Sequence, residues 1–130
     1  MRDGGRVGVL VIDDHAPFRD AARAVVAAAP GFEAVAEADS GAQGIAVASV
    51  LRPDLVLLDL NMPGLDGVET CRVLKERHPD AVVVLISVDA SLLEEARGGC
   101  CADAFLLKQD FGTKALLALW AEHGALKTPA

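Results

Sequence analysis

Five short apolar runs alternate along this chain with longer stretches of helical period, and that alternation constrains the fold more than any single motif. The runs are Val7–Ile12, Phe32–Glu37, Leu55–Leu58, Ala81–Ile86 and Ala104–Leu107. The first, third and fourth are almost continuous Val, Leu and Ile. Strands of a parallel sheet read this way, because helices cover both of their faces. Between the runs, Phe18, Ala21, Ala22, Val25, Val26 and Ala29 recur at i, i+3, i+4 and i+7, which predicts a helix over Pro17–Ala29. Proline suits its first turn, and Pro30-Gly31 ends it. Ser40 is a fitting N-cap for a second helix reaching about Leu51, where Pro53 closes it. Val68, Cys71 and Leu74 line a third helix that ends near His78-Pro79. A short fourth helix starts over Ser91–Arg97 and runs into Gly98-Gly99, and a fifth covers Thr113–Glu122. No segment repeats as sequence; only the strand-helix unit recurs.

Strand-helix units in series require right-handed crossovers, so each helix lies back on the sheet. The expected fold is α/β: a flavodoxin-like, doubly wound parallel sheet of five strands in the order 2-1-3-4-5, with five helices. The 130 residues suffice for one such domain. Its expected limits are 7–123, with an N-terminal tail over 1–6 and a C-terminal tail or linker start over 124–130. The closing Thr128-Pro129 leans toward the latter, and six residues leave no room for a helix-turn-helix.

Composition narrows the function. A formal net charge of −7 argues against direct contact with a nucleic-acid backbone. No apolar run approaches a membrane span, and residues 1–6 do not resemble the start of a signal peptide. Three cysteines, two of them adjacent, make no disulfide framework, so a reducing, cytoplasmic setting is expected.

In doubly wound sheets, ligands bind beyond the carboxyl ends of the strands. The residues at those ends are Asp13 and Asp14 after the first strand, Asp59 and Asn61 after the third, Ser87 after the fourth and Lys108 after the fifth. Clustered carboxylates repel one another unless a cation joins them. Oxygen ligands with open positions suit Mg²⁺. No His or Cys stands at a spacing that suggests zinc. Asp59 can then serve as a carboxylate nucleophile toward a phosphoryl group, with Lys108 as a point charge and Ser87 as a hydroxyl donor. A flavin binder would instead place a small-residue phosphate loop after the first strand. A phosphatase of the aspartyl-phosphate type would carry a second Asp where Asn61 stands.

Asp13-Asp14, the segment Leu57-Leu58-Asp59-Leu60-Asn61-Met62-Pro63-Gly64-Leu65-Asp66-Gly67, Ser87, and Phe105-Leu106-Leu107-Lys108 together resemble the response-regulator receiver domains of two-component systems. The resemblance covers residues 7–123. Asp13-Asp14-His15-Ala16-Pro17-Phe18-Arg19 and Ser87-Val88 look most like the subgroup with a LuxR-type helix-turn-helix output. The resemblance implies a phosphorelay signalling domain, not an enzyme, phosphorylated on Asp59 by a sensor histidine kinase. It implies Mg²⁺ held by Asp13, Asp14, Asp59 and the Asn61 carbonyl, with Phe105 as the aromatic switch residue beside Ser87 and Lys108. It also implies a possible homodimer through the fourth helix, fifth strand and fifth helix, or through the first and fifth helices. The sequence departs from the pattern at Gln109, where many members carry proline. It departs again at Cys101, where glycine is usual, at Gly98-Gly99, and at Val88, where alanine is common. Gly98-Gly99 and Cys101 motivate an alternative, a phosphorylation-independent interaction or dimerisation module.

Other residues have structural readings. Asp13-Asp14 and Asn61-Met62-Pro63-Gly64 suit turns, and Ser87 could cap a helix. His15, His78 and His123 are expected to face solvent. Cys71 is a small core residue, and Cys100-Cys101 read as buried structural thiols sooner than redox-active ones. Leu116 and Trp120 fit either core or a partner surface.

Overall fold

The computed structural model describes residues 5–124; the remainder of the two expected tails, 1–4 and 125–130, lies outside the described residues. The elements run β1 (Val7–Ile12), α1 (Ala16–Ala28), β2 (Phe32–Ala38), α2 (Gly41–Leu51), β3 (Leu55–Asp59), α3 (Gly67–Arg77), β4 (Val82–Ser87), α4 (Ala90–Arg97), β5 (Ala104–Leu107) and α5 (Thr113–Leu119). All strand pairs are parallel, in the order β2-β1-β3-β4-β5. The expected fold is the observed one.

Two apolar layers hold it together. Val9, Val11, Leu55, Leu57, Val82, Val84 and Ile86 point to the face covered by Ala22 and Val26 of α1 and Leu116 of α5. Leu10, Ile12, Val56, Leu58, Val83 and Leu85 point to the other face, against Ala48 of α2, Cys71 and Leu74 of α3 and Leu93 of α4. Odd and even positions of one strand thus serve opposite layers, as the two-residue repeat requires. This explains why the strands read as unbroken apolar runs. Leu116 is fully buried, and Trp120 packs edge-on to Phe32 with ring centroids 6.4 Å apart, so both belong to the core.

Local chemistry sets the helix ends. The Ser40 hydroxyl accepts the Gln43 N–H at 3.2 Å, as expected of the α2 cap. Asp66 caps α3 by accepting from Glu69 N, and Asp89 caps α4 by accepting from Ser91 N and Leu92 N. The α4 cap is therefore Asp89 and not Ser87. Gly98 and Gly99 follow α4 instead of interrupting it, so the helix carries no interior glycine penalty. α5 ends one turn earlier than predicted, with Trp120–Gly124 continuing as a wider π-type turn. No described helix is long and apolar enough to cross a membrane.

Candidate functional site

The sheet delivers the predicted residues to one edge, with a small change of place. Asp59 and Ser87 are the last residues of β3 and β4, still inside the ladder, where Asp59 lies opposite Ile86 and Ser87 opposite Leu107. Being held by strand hydrogen bonds, they are more rigidly placed than loop residues would be. Asp13 follows β1 and is tied to its neighbour strand by its N–H, which donates to Ala38 O at 3.0 Å. Lys108 follows β5 and opens a 3₁₀ turn, Lys108–Asp110.

Asp13, Asp59 and Ser87 are buried. One carboxylate oxygen each from Asp13, Asp14 and Asp59, together with a His15 ring nitrogen, lie within 4.8 Å of one another. The Lys108 ammonium stands 2.7 Å from Asp13 Oδ2 and 3.5 Å from Asp59 Oδ2. It meets these oxygens as a point charge, because neither receives a well-directed hydrogen bond. The same ammonium lies 4.9 Å from the centre of the Phe18 ring, which covers it from the α1 side. The other oxygen of Asp59 accepts the Asn61 N–H at 3.3 Å.

Burial, then the charge of Asp13, push the Asp59 carboxyl up to about 6, against the pull of Lys108. One lysine thus does not balance the carboxylates gathered here. Two buried oxygens without directed hydrogen bonds and an exposed third carboxylate at the rim fit a small, hard, oxygen-seeking cation. An open cleft of about 460 Å³ leads to them; His15, Asn61, Val88 and Lys108 stand in its wall. Val88 is 71% exposed at the mouth.

Backbone packing shapes the approach. Gly64 turns the Asn61–Gly64 segment with φ of +79°. A Cβ on Gly67 would lie 2.5 Å from Asp59 O and 2.6 Å from Leu60 Cα, so only glycine lets the start of α3 close on the end of β3. Ser87 Oγ accepts the Asp89 N–H at 3.0 Å, and its own proton remains for another acceptor. Phe105 is half-buried beside α4, with the Arg97 guanidinium 4.9 Å above its ring.

Three readings of the sequence need correction. His15 is exposed as expected, but its Nδ1 sits 3.2 Å from both Asp13 Oδ1 and Asp14 Oδ1, so it belongs to the site's rim. His78 and His123 are half-buried and do not face solvent freely. Cys100 is half-buried and Cys101 exposed, since the segment between α4 and β5 runs along the surface. One member was missed altogether: Arg19 donates to Asp13 O at 2.7 Å and to Glu37 at 3.0 Å, fixing the Asp13 loop against α1 and β2.

Comparison with known proteins agrees with this geometry. The family model described as response regulator receiver domain matches residues 9–119. The nitrate/nitrite response regulator protein NarL of Escherichia coli K12 is 41% identical over 103 residues, 77% of this chain and 47% of that protein. The transcriptional regulatory protein DegU of Brevibacillus brevis is 36% identical over 83 residues, 64% of this chain and 35% of that protein. A solved signal receiver domain assigned to a NarL response regulator of Mycobacterium tuberculosis superposes with a TM-score of 0.75 at 32% identity, covering 87% of this chain and 94% of that one. The chain spans about half the length of NarL and a smaller share of DegU.

Proposed function

The chain belongs to the response regulator receiver domain family of two-component signalling, and from that premise we propose that Asp59 is its phospho-acceptor and residues 7–123 its receiver unit. The observation that carries the proposal is the buried Asp59 carboxylate at the head of an open cleft, with Asp13, Asp14 and Lys108 around it.

Asp59 Oδ attacks the phosphorus of a phosphohistidine on a sensor kinase. The P–N bond breaks, the imidazole nitrogen leaves and takes a proton, and an acyl phosphate forms on Asp59. Asp13, Asp14, Asp59 and the Asn61 carbonyl would hold Mg²⁺, which supplies charge neutralisation for the phosphoryl oxygens. Lys108 can reach those oxygens from its place between Asp13 and Asp59. The Ser87 proton can donate to another, drawing Ser87 toward the cleft. Phe105, on the neighbouring strand, then moves inward, and the surface of α4, β5 and α5 changes for a partner or output domain. Receiver domains are signalling units and not conventional enzymes; turnover here is limited to phosphoryl acceptance and loss. The kinase partner, a cytoplasmic setting, dimerisation through α4-β5-α5 or α1-α5, and control of transcription through an output domain belong to the same proposal.

Beryllofluoride tests it, since it occupies a receiver's acidic site as a phosphoryl mimic. Calorimetry should record binding to the wild type only with Mg²⁺ present, and none to Asp59→Asn. Equal binding by both proteins refutes the assignment.

A further inference from the structure

The three cysteines are distant in sequence but not in space. Cys71 lies fully buried on α3 in the layer that packs against the sheet, and Cys100 and Cys101 follow α4. Their sulfurs all lie within 4.8 Å of one another, and Cys71 Sγ stands 3.9 Å from Cys101 Sγ. The 28 residues between Cys71 and the pair carry no zinc-type spacing, and only the packing of α3 against the α4–β5 segment closes the distance.

Three thiols at such distances have two chemical uses, and the geometry separates them. A disulfide needs sulfurs about 2.05 Å apart, so the Cys71–Cys101 pair would have to close by roughly half. It would also leave Cys100 without a part. Sulfurs bound to one ion at about 2.3 Å, by contrast, stand about 3.8 Å apart in tetrahedral and about 4.0 Å apart in trigonal coordination. The observed 3.9 Å lies between these values.

We propose that Cys71, Cys100 and Cys101 form a three-thiolate site for a thiophilic cation, Zn²⁺ or Cu⁺. Binding exchanges three S–H protons for three metal–sulfur bonds. With Zn²⁺ the site carries a net charge of −1, and the exposed side at Cys101 admits water as fourth ligand; Cu⁺ is satisfied by three thiolates. The bound ion ties α3 to the segment between α4 and β5, and so couples metal supply to the surface expected to move on phosphorylation.

The experiment uses the full chain, reduced with a phosphine under anaerobic conditions, and Cd²⁺ as the spectroscopic probe. A thiolate-to-metal charge-transfer band should saturate at one equivalent, with about three protons released per ion. Zn²⁺ and Cu⁺, each titrated against a competing chelator, identify which ion holds the site. Cys101→Ser, at an exposed position that leaves the core intact, should bind at least ~100-fold more weakly. Asp59→Asn should keep the band, which separates this site from the acidic one. Absence of the band at one equivalent, undiminished binding by Cys101→Ser, or ready formation of a Cys71–Cys101 disulfide by a protein that binds no Cd²⁺ would each overturn the proposal.

Discussion

Replacing Asp59 by asparagine should stabilise the protein in the absence of divalent metal. Its carboxyl is raised from an ordinary value of 3.8 to about 6, first by burial and then by the charge of Asp13. A rise of about two units corresponds to about 3 kcal/mol of penalty for the ionised form in the fold. Asp59→Asn removes the charge with little change of shape. Its side-chain oxygen can still accept the Asn61 N–H, and Lys108 keeps Asp13 at 2.7 Å. Part of the gain is offset because Lys108 loses one of its two carboxylates, so we expect roughly 1–3 kcal/mol at pH 8, a large share of a typical domain's stability. The pH dependence has a definite sign. Because the folded carboxyl holds its proton more tightly than the unfolded one, the penalty is absent below about pH 4, grows between 4 and 6, and is complete above. Urea unfolding of both proteins in chelator from pH 4 to 8 measures the difference directly. Added Mg²⁺ should then reverse the order, since the wild type gains binding energy that the variant lacks. A variant no more stable than wild type at pH 8 without metal, or a difference that shrinks as pH rises from 4 to 6, would show that the ionised Asp59 carries no such penalty.

Substitutions at three other positions probe the surroundings. Gly67→Ala places a methyl 2.5–2.9 Å from three backbone atoms of Asp59 and Leu60, so it should cost more than about 2 kcal/mol in thermal or urea unfolding and weaken Mg²⁺ binding by moving the end of β3. Val88→Ala trims the mouth of the cleft and should speed labelling by acetyl phosphate several-fold in time-resolved intact mass spectrometry, with stability changed by less than about 0.5 kcal/mol. Asp103 accepts Val83 N–H at 2.9 Å and pairs with half-buried Lys75 at 2.9 Å; Asp103→Ala should cost about 2–3 kcal/mol, and Asp103→Asn less, because an amide oxygen can still accept from Val83.

The fold was legible because its strands are buried on both faces: Leu55–Leu58 and Ala81–Ile86 can be little else when helical periods lie between them. The acidic site was legible because the doubly wound topology maps strand ends to one edge, so Asp13, Asp59, Ser87 and Lys108 could be placed without coordinates. What the sequence could not show depended on packing between elements far apart in the chain. The contact of Lys108 with the Phe18 ring, the pairing of Arg19 with Glu37, and the convergence of Cys71 with Cys100 and Cys101 leave no local pattern. Helix ends were misplaced where side chains compete for one role. Ser87 and Asp89 can both cap α4, and Asp89 does so while its own N–H is accepted by the Ser87 hydroxyl.

Chemical trapping of the acyl phosphate shows which carboxylate takes the phosphoryl group. Incubation with acetyl phosphate and Mg²⁺, hydride reduction of any acyl phosphate, and peptide mass mapping locate the modified carboxyl directly. One modified residue is expected, Asp59, with labelling lost on removal of Mg²⁺ and in Asp59→Asn. Modification of Asp13 or Asp14 instead, or equal labelling of wild type and Asp59→Asn, would contradict it.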